Sequence, residues 1–441
     1  MSLFAAVPAP VHAQDLAFVR ALDRTAVAAL VQEHLAHDAT VTELQPDYVR
    51  WKDLDGSLLG YRATVRHDGD QHSTYVTVRT APAHRLADEA ERLRHREDED
   101  HAGLRALALV PQANLLLLAF PIDRAMHDLR RLVRASKVRS LLASACPEFV
   151  PAEVRFSKSR SRFTLVRYKP ERRAVLQWQV GMVDDAGNAA VPRPVWIRCH
   201  AEAQVQRTAM ATTAAATAGV RCPRTLAIVH DRLALESHLD GVAWDPTTDQ
   251  TGVGGAARVV ARLHGAPPPR QLPTHGPVQE LDVALRAAED LARLSPQLAG
   301  QARTLTDRLA MHVPPAATAV FAHGDLHIGQ FLVGADGEHA LCDFDRACLA
   351  PAAYDLASLR AQCLLRDPRH GAALAAAFED DYASLRPLPS TDERGWWNAC
   401  ALLRAATRPF RSMRTDWPTA SAQLLQGAGA SLDRATTGGG R

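Results

Sequence analysis

The chain has 441 residues, 47% hydrophobic and 23% charged, enough for two or three globular domains with substantial cores. Its formal net charge is +2 and its aromatic content 5%, so neither an anionic membrane nor a base-stacking nucleic-acid surface is indicated. Seven scattered cysteines, with no Cys-x-x-Cys pair, argue against a disulfide framework or zinc site and for a reducing, cytoplasmic setting.

Residues 1–14 lack the basic start and apolar stretch of a signal peptide. No apolar run approaches the ~20 residues that span a bilayer, so a soluble protein is expected. Residues 15–35 have helical spacing of apolar positions. Strand-like runs follow at 47–52, 58–65 and 73–79, then a charged helix at 85–99, a strand at 115–120 and a basic helix at 124–143. The same order then returns: strands at 163–169, 174–182 and 195–199, a helix at 201–218 and a strand at 233–238. Val49-Arg50-Trp51-Lys52 is echoed by Val166-Arg167-Tyr168-Lys169, Val78-Arg79 by Ile197-Arg198, and Asp123 by Asp240, at nearly constant spacing. A duplicated sheet-plus-helix module is the expectation.

From about residue 250 the pattern is helical. A helix at 256–264 is stopped by Gly265 and a proline run, and others are read at 278–295, at 298–311 and on to about 413. A β-rich insert at 319–345 interrupts them. The expected domains are 1–145, 146–242, 243–427 and a frayed tail at 428–441.

The insert carries the chemistry. Asp336-Gly337 is a two-residue hairpin signal, and folding there pairs 335 with 338 and, further out, 330 with 343. Opposed residues share a face about 5 Å apart, so Gln330 and Asp343 would offer an amide oxygen and a carboxylate together. Such hard oxygen ligands suit Mg²⁺, which fills its remaining positions with phosphate oxygens and water. Asp325, in the loop entering the hairpin, is placed to accept a proton from a substrate hydroxyl during phosphoryl transfer. Gly324 permits the turn that aims it.

These residues resemble the aminoglycoside phosphotransferase-like kinase family, which includes choline kinase-like and maltokinase-like enzymes. The likeness lies in His323-Gly324-Asp325-Leu326-His327-Ile328-Gly329-Gln330, in Asp343-Phe344-Asp345, in Pro351-x-x-Tyr354-Asp355-Leu356-Ala357 and in Val259-x-Ala261-Arg262-Leu263-His264. It is specific over about 250–365 and extends from about 150; residues 1–145 fall outside it. The resemblance implies an α+β, bilobal protein-kinase-like fold, here preceded by an extra β-rich module of the kind maltokinase-like members carry as a cap. It implies ATP and Mg²⁺, with Asp325 as catalytic base and Gln330 and Asp343 as metal ligands.

The resemblance also implies that the turn Lys169-Pro170-Glu171-Arg172-Arg173 covers the nucleotide phosphates, with Lys169, Arg172 and Arg173 as cations in place of glycines. Arg198 takes the position of the family's phosphate-gripping lysine, in a chain where only Lys52, Lys137, Lys158 and Lys169 are lysines. Glu202 is the sole local acid for it. Glu236 and His238 lie on the strand that would meet adenine. The expected partner is a small hydroxyl-bearing molecule such as a sugar or aminoglycoside, bound among helices at 270–310 and 365–415. Asp282, Glu289, Asp290, Glu379, Asp380 and Asp381 there suit a polyamine or are simply exposed, and Arg404, Arg408 and Arg411 face either the substrate or solvent. A pseudokinase or nucleotide-binding regulatory module is the alternative.

Overall fold

In the computed structural model, residues 9, 16–51, 56–94, 100–249 and 252–438 are described. Residues 1–8 and 10–15, Lys52 and the stretch 95–99 lie outside them. The chain divides into two compact units, one of Met1–Ala203, Ala227–Leu235 and Phe410–Trp417, the other of Gln204–Leu226, Glu236–Pro409 and Pro418–Arg441.

The first unit holds the first sheet module and most of the strands of a second, whose helix falls in the other unit. The helical stretch at 15–35 is broken in two, because Asp23 caps a second helix with its carboxylate on the N–H groups of Thr25 and Ala26. The first module comprises β1 (Ala39–Arg50), β2 (Leu58–His67), β3 (Asp70–Thr80), helix α1 (Ala83–Leu93), β4 (Leu107–Val110) and β5 (Leu115–Ala119). Its strand order is β1-β2-β3-β5-β4. The second comprises β6 (Arg162–Lys169), β7 (Arg173–Val183), β8 (Ala189–His200), helix α2 (Val205–Thr217), β9 (Thr225–Val229) and β10 (Leu233–Ser237). Its order is β6-β7-β8-β10-β9, with a two-residue strand, Arg155–Phe156, also on β7.

The two sheets thus have the same topology, and the register makes them equivalent residue by residue. Arg50, Leu58 and Arg79 stand side by side across the first three strands. Arg167, Val175 and Arg198 do so in the second module. Arg79 is therefore the counterpart of Arg198.

In the first module the counterpart cation has a helix acid. Arg79 donates to buried Glu89 on α1 at 2.6 Å. Arg124 holds the other Glu89 oxygen at 2.6 Å and grips Glu171 through two N–H groups at 2.9 and 3.1 Å. Arg50 and Arg79 stand 3.8 and 4.0 Å from Glu171. Asp123 fixes the same turn, accepting from the Tyr168 hydroxyl and the Glu171 N–H, both at 2.8 Å. The tight turn leaves Glu171 at φ +59°, a left-handed conformation that a non-glycine residue holds at some cost.

The second unit is mostly helical. Its principal helices are α3 (Val253–Gly265), α4 (Pro277–Leu294), α5 (Pro296–Met311), α6 (Ala352–Arg366), α7 (Gly371–Ala383), α8 (Thr391–Ala405) and α9 (Trp417–Gly438). Pro277 and Pro296 occupy the first position of their helices, where the missing N–H costs nothing. The expected tail from 428 instead continues α9, with Ala428, Ser431 and Leu432 buried; their spacing gives that segment an inward face. The insert forms two short antiparallel ladders. Strand β11 (Ala319–Ala322) pairs with β14 (Cys348–Pro351), and β12 (Phe331–Val333) with β13 (His339–Leu341). Phe321, Leu326, Phe331, Leu341 and Phe344 from this insert pack with Val260 and Leu263 of α3 and Phe378 of α7 in one buried core. Burial of side chains of this size contributes roughly 1.5–3 kcal/mol each, which anchors the loops between the strands.

None of the seven cysteines is in a disulfide, and six are buried. Among the described residues no helix is long and apolar enough to cross a membrane.

Candidate active site

The site grows from the loops joining the two ladders of the second unit. After β11 the chain turns through His323-Gly324-Asp325, with Gly324 at φ +82° and its α-carbon against the Arg346 carbonyl. No side chain fits there. Asp355, at the start of α6 and fully buried, accepts from the N–H groups of His323 and Gly324 at 2.6 and 2.9 Å. It also meets His264 Nε2 at 3.1 Å, and His264 Nδ1 meets the Tyr382 hydroxyl at 2.8 Å. Burial opposes ionisation of Asp355, and His264, His323 and the Gly324 N–H outweigh it, so its pKa falls below the usual carboxylate value. His323 Nε2 reaches the Cys342 carbonyl at 2.8 Å and ties this loop to the one carrying Asp343.

Gln330 and Asp343 do come together, by a different route from the one the turn signal suggests. The observed register pairs Phe331 with Leu341 and Val333 with His339, so Gln330 stands opposite Cys342, whose N–H donates to the Gln330 carbonyl at 2.9 Å. The shift of one residue arises at the turn. A Gly337 N–H to Gly334 O bond closes it, and Gly337, at φ +75°, adds a bulge residue beyond a two-residue loop. Asp343 then adopts φ +68°, which swings its side chain back. The Gln330 amide nitrogen lies 3.5 Å from Asp343 Oδ2 and 3.1 Å from His327 Nε2. Burial pushes the His327 pKa down to about 4, so its ring is neutral and accepts from the amide.

A carboxamide and a carboxylate in contact are a hard-oxygen pair that fits Mg²⁺, which takes one or two protein ligands and leaves the rest to phosphate and water. Rotation of the amide exchanges its nitrogen and oxygen towards Asp343. Asp345 is directed elsewhere, accepting from the Thr208 hydroxyl of α2 at 3.2 Å.

Asp325 is part-buried, and Arg408 Nη2 lies 3.4 Å from its Oδ1. Burial raises its pKa, while Arg408, Arg346, His327 and His323 together bring it below the ordinary carboxylate value. It is therefore ionised at neutral pH, the form needed to accept a proton.

The other expected residues fall into two sets. Arg198 is buried on β8, and Lys169, Arg172 and Arg173 occupy the β6–β7 turn, all in the first unit. Glu236 is buried and His238 half-buried at the end of β10, within the second unit. Glu202 is exposed ahead of α2, and α2 itself, Val205–Thr217, contains no acid. Of the acids considered for the acceptor, Glu379 is taken up by Arg394 at 2.8 Å and Arg360 at 3.6 Å. Asp282, Glu289 and Asp380 are exposed. Sequence reasoning missed the cluster behind the loop: buried Glu280 meets His275 at 2.7 Å and Arg404 at 3.2 Å. Glu280 and Arg404 lie on different helices far apart in sequence, and no local pattern links them.

Residues 189–388 match the model of the phosphotransferase enzyme family. That stretch, just under half of the chain, is where the likeness to the family lies. It begins with β8 and ends after α7, so the first module lies outside it. No curated protein matches. Among solved structures, choline kinase from Cryptosporidium parvum aligns with a TM-score of 0.50 and 11% identity, over 69% of this chain and 97% of its own. An aminoglycoside phosphotransferase from Streptomyces rimosus, in complex with ADP and streptomycin, aligns with a TM-score of 0.40 and 18% identity, over 64% and 98%. At such identities the likeness is one of fold, and the fold is that of the protein-kinase-like small-molecule kinases, with an additional N-terminal β-rich region.

Proposed function

We propose that this phosphotransferase moves the γ-phosphoryl group of ATP to a hydroxyl of a small polar molecule, with Asp325 as the proton acceptor. The observation that carries the reading is the contact of Gln330 with Asp343, in a loop tied by His323 to the one that presents Asp325. Gln330 and Asp343 would hold Mg²⁺, which supplies charge neutralisation on the phosphates when bound. Asp325 orients the acceptor hydroxyl and takes its proton as the acceptor oxygen bonds to phosphorus and the bond from phosphorus to the ADP oxygen breaks. Arg198, Lys169, Arg172 and Arg173 are assigned to the nucleotide phosphates. The backbone around Glu236 and His238 is assigned to the adenine.

The direct test is Asp325→Asn with Mg-ATP and an acceptor panel. Loss of a general base of this kind costs roughly 10²–10⁴ in rate, with nucleotide affinity and melting temperature retained. A second reading, nucleotide binding without turnover, draws on the absence of an acid in α2 to accompany Arg198. Stabilisation by ATP that is independent of Mg²⁺, with no product in any assay and no effect of Asp325→Asn, would select it.

A further inference from the structure

Within the second unit, the ends of α3 and α7 and the turn after α2 form an open groove of about 500 Å³. That volume suits a small organic ligand. Its surface is partly apolar, with Ala261 and Ala266 buried and Pro267 and Leu385 exposed. Three guanidinium groups also line it: Arg258 and Arg262, one turn apart on α3, and Arg386 just beyond α7. Arg262 donates to the Gly219 carbonyl at 2.7 Å. Arg386 lies against the end of α3, where a Cβ on Gly265 would stand 2.8 Å from its Nη1. Among the described residues no carboxylate lies within 4.0 Å of any of the three. Neither α2 nor α3 contains an acid. On α7, Glu379 is held by Arg360 and Arg394, Asp380 is exposed, and Asp381 faces α3 a turn before Arg258, at Gly254. The C-termini of the three helices supply roughly half a negative charge each, which three full positive charges exceed.

The same helix ends hold the Asp325 loop from their inner side. His264, next to Gly265, is buried, with Nδ1 2.8 Å from the Tyr382 hydroxyl and Nε2 3.1 Å from Asp355. Asp355 in turn accepts from the N–H groups of His323 and Gly324. Tyr382 lies one turn before Arg386, whose N–H donates to the Tyr382 carbonyl at 2.9 Å. We propose that the groove is a regulatory site for an organic phosphate with an apolar body, its phosphate shared by Arg258, Arg262 and Arg386 and its body against Pro267 and Leu385. Guanidinium forks suit phosphate oxygens. By joining α3 to the end of α7, the ligand favours the arrangement in which His264 meets Tyr382, and a ligand that binds one arrangement better shifts the population towards it. The site itself does not depend on the phosphotransferase reading; that its occupancy acts on catalysis, through the Asp325 loop, does.

The full chain is titrated calorimetrically with phenyl phosphate, inorganic phosphate and benzyl alcohol, and hydrogen exchange of the His323 and Gly324 amides is followed alongside. Phenyl phosphate should bind at least tenfold more tightly than either other probe, and should still bind at saturating Mg-ATP, which sets the groove apart from the nucleotide site. Arg258→Gln and Arg386→Gln should each weaken it at least fivefold. Saturation should slow exchange of the two amides at least threefold. Tyr382→Phe should keep the affinity within twofold and abolish that slowing. The site is overturned if phenyl phosphate fails to bind, if benzyl alcohol or inorganic phosphate binds as well, if Mg-ATP displaces it, or if neither arginine variant changes its affinity. Binding that leaves the two amides unaffected, or slowing that survives Tyr382→Phe, overturns the link to the loop and leaves the site standing. None of these readings uses turnover, so failure of the phosphotransferase reading is told apart by its own Asp325→Asn assay.

Discussion

Replacing Glu89 by Gln isolates what the first module does with its buried ion pair. Glu89 is 4% exposed and Arg79 8%, and the substitution leaves two guanidiniums, those of Arg79 and Arg124, without the carboxylate each meets at 2.6 Å. Breaking a buried pair by removing one partner costs about 3–5 kcal/mol. Three features place this variant at or below the lower end. The amide keeps one acceptor, Glu171 stays 4.0 Å from Arg79, and Arg124 is 39% exposed and hydrated. A loss of about 2–3 kcal/mol is therefore expected, which for a unit of some 200 residues lowers the melting temperature by roughly 5–10 °C. Calorimetry on the full chain measures this, and Arg79→Met combined with Glu89→Leu should recover part of what Glu89→Leu alone loses. Below the transition, KM for Mg-ATP should remain within twofold of the parent, because the counterpart cation assigned to the nucleotide is Arg198. A stability change under ~0.5 kcal/mol, the ordinary range for a surface substitution, would refute the energetic reasoning. A large rise in KM without destabilisation would transfer the nucleotide role to the first module.

Three further outcomes follow from the same contacts. Arg124→Ala removes the bidentate grip on Glu171 and should raise KM for Mg-ATP several-fold with kcat little changed, as the turn bearing Lys169, Arg172 and Arg173 loosens; steady-state kinetics at varied ATP measure it. Asp325 is held below the ordinary carboxylate pKa, so its active, ionised form persists as pH falls past that value. Arg408→Gln removes the cation that lowers the pKa most, and the acid limb of the kcat/KM profile should move to higher pH. Gly324→Ala puts a Cβ onto the Arg346 carbonyl and strains a φ of +82°. A cost of at least 1–3 kcal/mol should appear in thermal unfolding, with a larger proportional loss of kcat as Asp325 is displaced.

Much of this molecule is decided by local sequence. The duplicated order of strands and helix was legible because Arg50 and Arg167, and Arg79 and Arg198, sit in like surroundings of alternating apolar residues, and strand period and order are short-range properties. The contact of Gln330 with Asp343 was legible too, since a single hairpin separates them. Their arrangement was not. The pairing of 330 with 343 failed by one residue because Gly337 takes a bulge position, and the contact was restored by a left-handed backbone at Asp343, a conformation aspartate tolerates but that no local pattern assigned to this position. Long-range ion pairing was decided by tertiary structure alone. Glu171 lies among cations in its own turn, yet it is Arg124, far back in the chain, that grips it. Glu280 and Arg404 are joined across helices more than a hundred residues apart. Charges attract at distances set by packing and not by spacing along the chain, so the sequence fixes which groups exist and the fold chooses their partners.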